Sequence, residues 1–371
     1  MLILGIESTC DETAAAVVRD GVEVLGESVA TQFHLHGKFR GVVPEIASRA
    51  HIENLLPTLA DACASAGITP GAVDAIAVAN RPGLIGSLLV GVTAAKTLAW
   101  CLGKPLVSVD HVQAHLYSVM LRGKSGEEGR GAWGEGQGER DGYCTAASPM
   151  PLAPCPSPLT PFIGLVCSGG HTALYRLRGW DDVALIGTTI DDAVGEAYDK
   201  VAAMLGLPFP GGPVIDRLAG TGNPSAYDFP RSRLGRDSLD FSFSGLKTAV
   251  KYQVFGYQGA QRTVADLSPA EVADVAASFQ AACVDVLIEK VRRAVDRFGA
   301  AGVIMGGGVS ANRGLRASLG RLGVPVYLPH LAYCTDNAAM IAGLGHVHLS
   351  SGRVAGLDLD AVTQSEIEAL A

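Results

Sequence analysis

The chain has 371 residues, 48% of them apolar and only 18% charged, with 29 Lys plus Arg against 37 Asp plus Glu and a net charge of −8. At roughly 150 residues per domain this is about two globular domains. The composition excludes a disordered chain, a coiled coil and a uniformly basic nucleic-acid binder, while leaving room for a local basic patch. The 46 glycines fall in short clusters, as in a turn-rich α/β enzyme.

In chain order, an apolar strand at 2–6 stops at the polar loop Glu7-Ser8-Thr9-Cys10-Asp11-Glu12-Thr13. A second strand follows at 14–18, and Asp20-Gly21 marks a hairpin turn. The opening has no basic start and meets Glu7 at once, so no secretory leader is expected. Helices are expected over 45–66 and 84–101, and buried strands over 75–79 and 106–109. Residues 84–103 imitate a membrane span but contain Lys96, which would cost ~3 kcal/mol in hydrocarbon. They read as a buried helix of a soluble protein. Eight cysteines without C-x-x-C spacing suit a reducing compartment, and the expected location is the cytoplasm. Residues 124–158 are Gly-, Glu-, Arg-, Ser- and Pro-rich and read as an exposed, mobile insertion.

The strand–turn–strand layout recurs over 161–178 around Ser168-Gly169-Gly170-His171, which suggests two similar halves. Helices resume at 192–205 and 269–298. A strand at 302–305 then runs into Gly306-Gly307-Gly308-Val309-Ser310-Ala311-Asn312-Arg313, an order suited to holding phosphate on backbone amides.

His111-Val112-Gln113-Ala114-His115 places two imidazoles at i and i+4, on one helix face and within reach of one metal. A zincin protease needs Glu at the position of Val112, so the proteolytic reading loses its base. His34/His36 and His346/His348 read as surface residues. Asp336 opens an apolar helix: it is either that helix's N-cap or a third, carboxylate ligand facing the two histidines. Together with Gly211-Gly212-Pro213, the glycine clusters point to an anion site of nucleotide size. Asp192, Glu196 and Asp199 would share a helix face, either toward ribose hydroxyls or simply in solvent.

Several segments resemble the tRNA N6-adenosine threonylcarbamoyltransferase family. They are Ile6-Glu7-Ser8-Thr9-Cys10-Asp11-Glu12-Thr13, Val43-Pro44-Glu45-Ile46-Ala47-Ser48-Arg49, His111-x-x-x-His115 and Ser168-Gly169-Gly170-His171-Thr172. The stretch from Asp191 to Lys200, Phe241-Ser242-Phe243-Ser244-Gly245-Leu246-Lys247, Gly307 to Asn312 and Cys334-Thr335-Asp336-Asn337 complete the set, in order along nearly the whole chain. The resemblance implies an α/β, two-domain actin/Hsp70/sugar-kinase-like fold with duplicated βββαβα-type halves. The expected division is 1–110 plus about 331–371 for one domain and 111–330 for the other.

The resemblance further implies His111, His115 and Asp336 as ligands of one divalent transition metal, Fe2+ or Zn2+, between the two domains. Val166, Cys167, Ser168, Gly169, Gly170, Asp199, Gly212, Asp216 and Asn312 become substrate-binding positions around an adenine nucleotide, and Asp11 or Glu12 the proton acceptor. The implied reaction transfers threonylcarbamoyl from threonylcarbamoyl-AMP to N6 of adenosine 37 in tRNAs reading ANN codons. Implied partners are tRNA, an inactive paralogue subunit and a small ATPase, with no membrane. Arg231, Arg233, Arg236, Lys247 and Lys251 offer a basic patch for RNA, and Lys290, Arg293 and Arg297 a helical stripe. Arg81 departs from the family's usual Gly before Pro-Gly-Leu. A kinase or ATPase of the same fold, needing no histidine pair, and a non-catalytic assembly partner are the alternatives.

Overall fold

The computed structural model describes residues 1–39, 41–123, 160–235, 237–256 and 262–370. The insertion at 124–158 therefore lies wholly outside the described residues, as does Arg236. The chain divides into two compact units. The first comprises Met1–Gln32, Val42–Cys155 and Tyr327–Glu366, the second Phe33–Gly41, Pro156–Val326 and Ile367–Ala371.

In the first unit, β1 (Leu2–Glu7), β2 (Glu12–Arg19), β3 (Glu23–Thr31), β4 (Ala75–Arg81) and β5 (Leu106–Asp110) form one sheet in the order β3-β2-β1-β4-β5. The β1–β2 pair is antiparallel and registers Leu2 with Arg19, while β1–β4 is parallel and registers Ile3 with Ala75. Asp20 and Gly21 make the expected tight turn, both at positive φ. Strand alternation then divides the core. Leu4 and Ile6 pack with Leu55 and Leu59 of helix Pro44–Ala66 and with Leu88 and Val92 of helix Ile85–Leu102. On the opposite face, Gly5 lies against helix Ala338–Ser350 so closely that a Cβ would stand 2.3 Å from Ala338 O. Only glycine permits that approach.

The second unit repeats the plan. Strands β6 (Phe162–Cys167), β7 (Thr172–Gly179), β8 (Asp182–Thr188), β9 (Gly302–Gly306) and β10 (Val326–Tyr327) are ordered β10-β9-β6-β7-β8, with β6–β7 antiparallel and β6–β9 parallel. The duplicated halves and the actin/Hsp70/sugar-kinase-like fold are thus present. Helix Pro269–Phe298 has the expected bounds, because Ser268 and Glu271 form a capping box and Gly299 ends it in the left-handed region.

Three expectations change. The division moves: helix His111–Tyr117 belongs to the first unit, because it continues directly from β5 and packs on helix Ala338–Ser350. Helix Ile85–Leu102 is not buried all round. It is long and apolar enough to cross a membrane, yet it packs only one face inward and leaves Ile85, Leu89 and Trp100 exposed. His36 and His348, expected at the surface, are buried, and His348 Nδ1 lies 3.0 Å from Ser108 O.

Candidate metal centre and nucleotide loops

Strand β5 ends at Asp110, whose Oδ1 accepts from the N–H groups of Val112 (2.9 Å) and Gln113 (3.1 Å) and so starts helix His111–Tyr117. One turn apart, the His111 and His115 rings meet edge to face with centroids 4.6 Å apart. Asn337, not Asp336, caps helix Ala338–Ser350, its Oδ1 accepting from Met340 N at 2.9 Å. With the cap supplied by its neighbour, Asp336 turns to the imidazoles. Its Oδ1 stands 3.1 Å from His115 Nε2 and 3.6 Å from His111 Nε2.

The three ligand atoms lie within 4.8 Å of one another, all in the first unit rather than divided between two domains. Despite its approach to Asp336, the buried His115 Nε2 makes no hydrogen bond among the described residues. Such an atom is costly unless it serves as a ligand, and two imidazoles plus one carboxylate suit a divalent transition metal.

Glu7 supports the centre from behind. It is fully buried, with Oε2 2.8 Å from His111 Nδ1 and Oε1 accepting from Thr9 N at 2.6 Å. This is the carboxylate–histidine pairing that orients metal ligands. Burial alone would depress the His111 pKa, but the Glu7 and Asp336 carboxylates outweigh it and hold it up at about 9. The loop carrying Thr9 is pressed against Gly83, where a Cβ would meet Thr9 O at 2.7 Å.

Asp11 and Glu12 are both buried beside this acidic cluster. Burial, then Asp11 and Asp336, push the Glu12 carboxyl well above the usual carboxylate range, and it hydrogen-bonds Asp11. Burial likewise pushes up the Cys10 thiol.

In the second unit, Val166 and Cys167 are fully buried in β6. Ser168, Gly169 and Gly170 form the turn that follows. Ser168 N donates to His171 O at 2.8 Å, and Gly169 and Gly170 have open space where a Cβ would stand. Gly307, at φ 89°, fits a spot where a Cβ would stand 2.3 Å from Cys167 O.

Gly211-Gly212-Pro213 is the first turn of helix Gly211–Ala219, not a free loop. Asp199 Oδ1 accepts from Gly211 N at 2.6 Å. Asp216 accepts from Arg313 Nε at 2.9 Å and from Gln280 Nε2 at 3.1 Å. Asn312 caps helix Arg313–Leu319, and its Nδ2 donates to Gln280 Oε1 at 2.7 Å. The buried Gln280 ties Asn312 to Asp216 and went unnoticed in the sequence, where it is one polar residue in a long amphipathic helix.

Two sequence expectations fail here. Asp192, Glu196 and Asp199 do not act as one face: the helix begins at Val194, and Lys200 Nζ bridges Asp192 and Glu196 at 2.8 Å each, while Asp199 turns to Gly211. Nor is Lys290, Arg293, Arg297 a basic stripe. The buried Lys290 donates to Arg233 O and Ser238 O at 2.7 Å each, Arg293 donates to Gly235 O at 2.9 Å, and Arg297 donates to Asp237 O. These side chains pin a polar loop. Within the patch, Arg231 pairs with Asp285, Arg233 with Glu289 and Lys247 with Asp192, whereas Lys251 is exposed.

Comparison with known proteins adds a family. The family described as tRNA N6-adenosine threonylcarbamoyltransferase (TsaD) matches residues 23–128 and 147–343. The tRNA N6-adenosine threonylcarbamoyltransferase of Thermomicrobium roseum is 46% identical over 374 residues, covering 97% of this chain and 95% of that protein. The protein of the same name from Geotalea uraniireducens is 42% identical, covering 100% and 98%. Among solved structures, T. kodakarensis HypF aligns at a TM-score of 0.52 and 14% identity over 94% of this chain and 48% of that one, a likeness of fold alone.

Proposed function

This chain belongs to the tRNA N6-adenosine threonylcarbamoyltransferase family, and from that membership we propose how its residues divide the work of modifying tRNA. The chain is a transferase acting in tRNA modification. The donor we propose is threonylcarbamoyl-AMP, and the acceptor is the N6 amine of adenosine 37. The N6 nitrogen attacks the carbamoyl carbonyl carbon, the carbon–oxygen bond to the phosphate breaks, AMP leaves, and a proton leaves N6.

An exocyclic adenine amine is a weak nucleophile, so rate must come from positioning and from stabilising charge on the carbonyl and departing phosphate. Backbone amides of Gly169 and Gly170 hold the nucleotide, on a turn closed by the bond from Ser168 N to His171 O. Asp216 and Asn312, stiffened by Gln280, define its far side. Asp11 receives the proton, and its hydrogen bond with Glu12 keeps it oriented. His111, His115 and Asp336 hold one divalent metal, with Fe2+ or Zn2+ as candidates, and Glu7 fixes the His111 ring. That metal supplies Lewis acidity and an anchor for donor oxygens when bound.

The observation that carries the metal assignment is the buried His115 Nε2, close to Asp336 yet without a hydrogen bond among the described residues. A paralogue subunit and a small ATPase remain proposed partners, and the cytoplasm the proposed location. The test is metal analysis of the purified chain, together with mass spectrometry of tRNA after incubation with threonylcarbamoyl-AMP and those partners. A mass gain confined to adenosine 37, lost in Asp336→Ala, is expected. Unchanged tRNA under every combination would refute the donor assignment.

A further inference from the structure

After helix Ala338–Ser350 the chain runs back over the first unit as a strap. Ala355 N donates to Leu106 O at 2.8 Å, at the start of β5. Further along, Lys96 Nζ donates to Leu359 O (2.8 Å), Asn80 Nδ2 to Asp360 O (3.0 Å), and Val362 N to Asn80 O (2.9 Å). Leu359 and Ala361 pack on the apolar core. The strap then reaches the residue that starts the metal-ligand helix. Ser365 Oγ donates to Asp110 Oδ2 at 2.6 Å, and Glu366 ion-pairs with Arg81, the residue registered against Asp110 across β4 and β5.

The two oxygens of Asp110 therefore have different employers. Oδ1 accepts the first helical amides, and Oδ2 is held by the strap. A cap carboxylate has one rotation that satisfies the helix start, and the strap hydrogen bond selects it. His111 follows immediately, so the pitch of that first turn decides where both imidazole Nε2 atoms point. Metal sites tolerate only about 0.5 Å of misplacement before affinity suffers.

We propose that Ser365 is a positioning residue for the metal centre, acting through Asp110, and that the Arg81–Glu366 pair anchors it there. The proposal rests on the metal reading above and adds a remote part of the chain to it. Arg81 thereby gains a role: at this position a side chain long enough to reach the strap fastens it.

The test titrates Co2+ into the full-length chain by its visible absorption and follows amide exchange at Val112 and Gln113. Ser365→Ala should weaken Co2+ binding about threefold, less than the tenfold or more expected when a ligand loses its own hydrogen-bond partner. It should also speed exchange at those two amides, and Ser365→Thr should restore both. If Ser365→Ala does not fold, Glu366→Lys carries the same expectation, because that side chain is 76% exposed and its charge reversal leaves the core intact. Unchanged Co2+ affinity and exchange in a folded variant would overturn the strap proposal alone. A wild-type chain that takes up neither Co2+ nor Zn2+ would overturn the metal reading, and the strap's role with it.

Discussion

Glu27 sits in the middle of β3, registered against Ala16, with a buried Oε1 that has no hydrogen-bond partner among the described residues. Burial pushes its carboxyl up from an ordinary 4.5 to about 7. An acid raised in this way binds more protons folded than unfolded between those two values. Stability is therefore greatest below about 4.5 and declines as pH rises through about 7. At about 1.36 kcal/mol per pH unit, the interval corresponds to about 3 kcal/mol lost once Glu27 is fully ionised.

Glu27→Gln removes the titrating proton while keeping the shape. It should gain up to about 3 kcal/mol over wild type at pH 8 and little at pH 4. Urea unfolding followed by circular dichroism at several pH values between these limits measures both curves. Parallel decline of variant and wild type across the window would refute the reasoning, because the slope would then belong to other groups.

Glu7→Gln should weaken metal binding roughly 10- to 100-fold, as expected when a ligand imidazole loses its carboxylate partner, and Zn2+ competition against a chromophoric chelator reads it. Gly5→Ala should destabilise by about 1–3 kcal/mol by overpacking and shift the helix that follows Asp336. Thermal unfolding together with metal affinity checks this, since both should fall. Lys290→Met removes an ammonium from two carbonyl acceptors and should cost about 3 kcal/mol. The salt dependence of tRNA retention should stay unchanged, because that charge faces protein carbonyls; a shallower salt slope in a filter-binding assay would return Lys290 to the RNA surface.

What the sequence determined by itself was whatever depends on a few neighbouring residues. The Ser268–Glu271 box and Gly299 delimit a 30-residue helix because caps are local hydrogen bonds. The pair His111/His115 was legible because helical periodicity brings i and i+4 together without tertiary help. The family motifs, in order along the chain, carried the fold class. Tertiary structure decided the rest. Nothing near position 336 tells whether Asp336 or Asn337 is the cap; the answer lies with two imidazoles more than 200 residues away in the chain. Glu7 looked like one more polar loop residue until β1 pairing set it behind His111. Lys290 read as a solvent-facing cation because helical periodicity knows nothing of the loop that folds over it. Strand β3, with its half-buried Glu27, lacked a clean alternating pattern and was secured by pairing with β2. The first unit itself is assembled from three separate stretches of chain, so its boundary follows packing between distant segments, which no window of sequence contains.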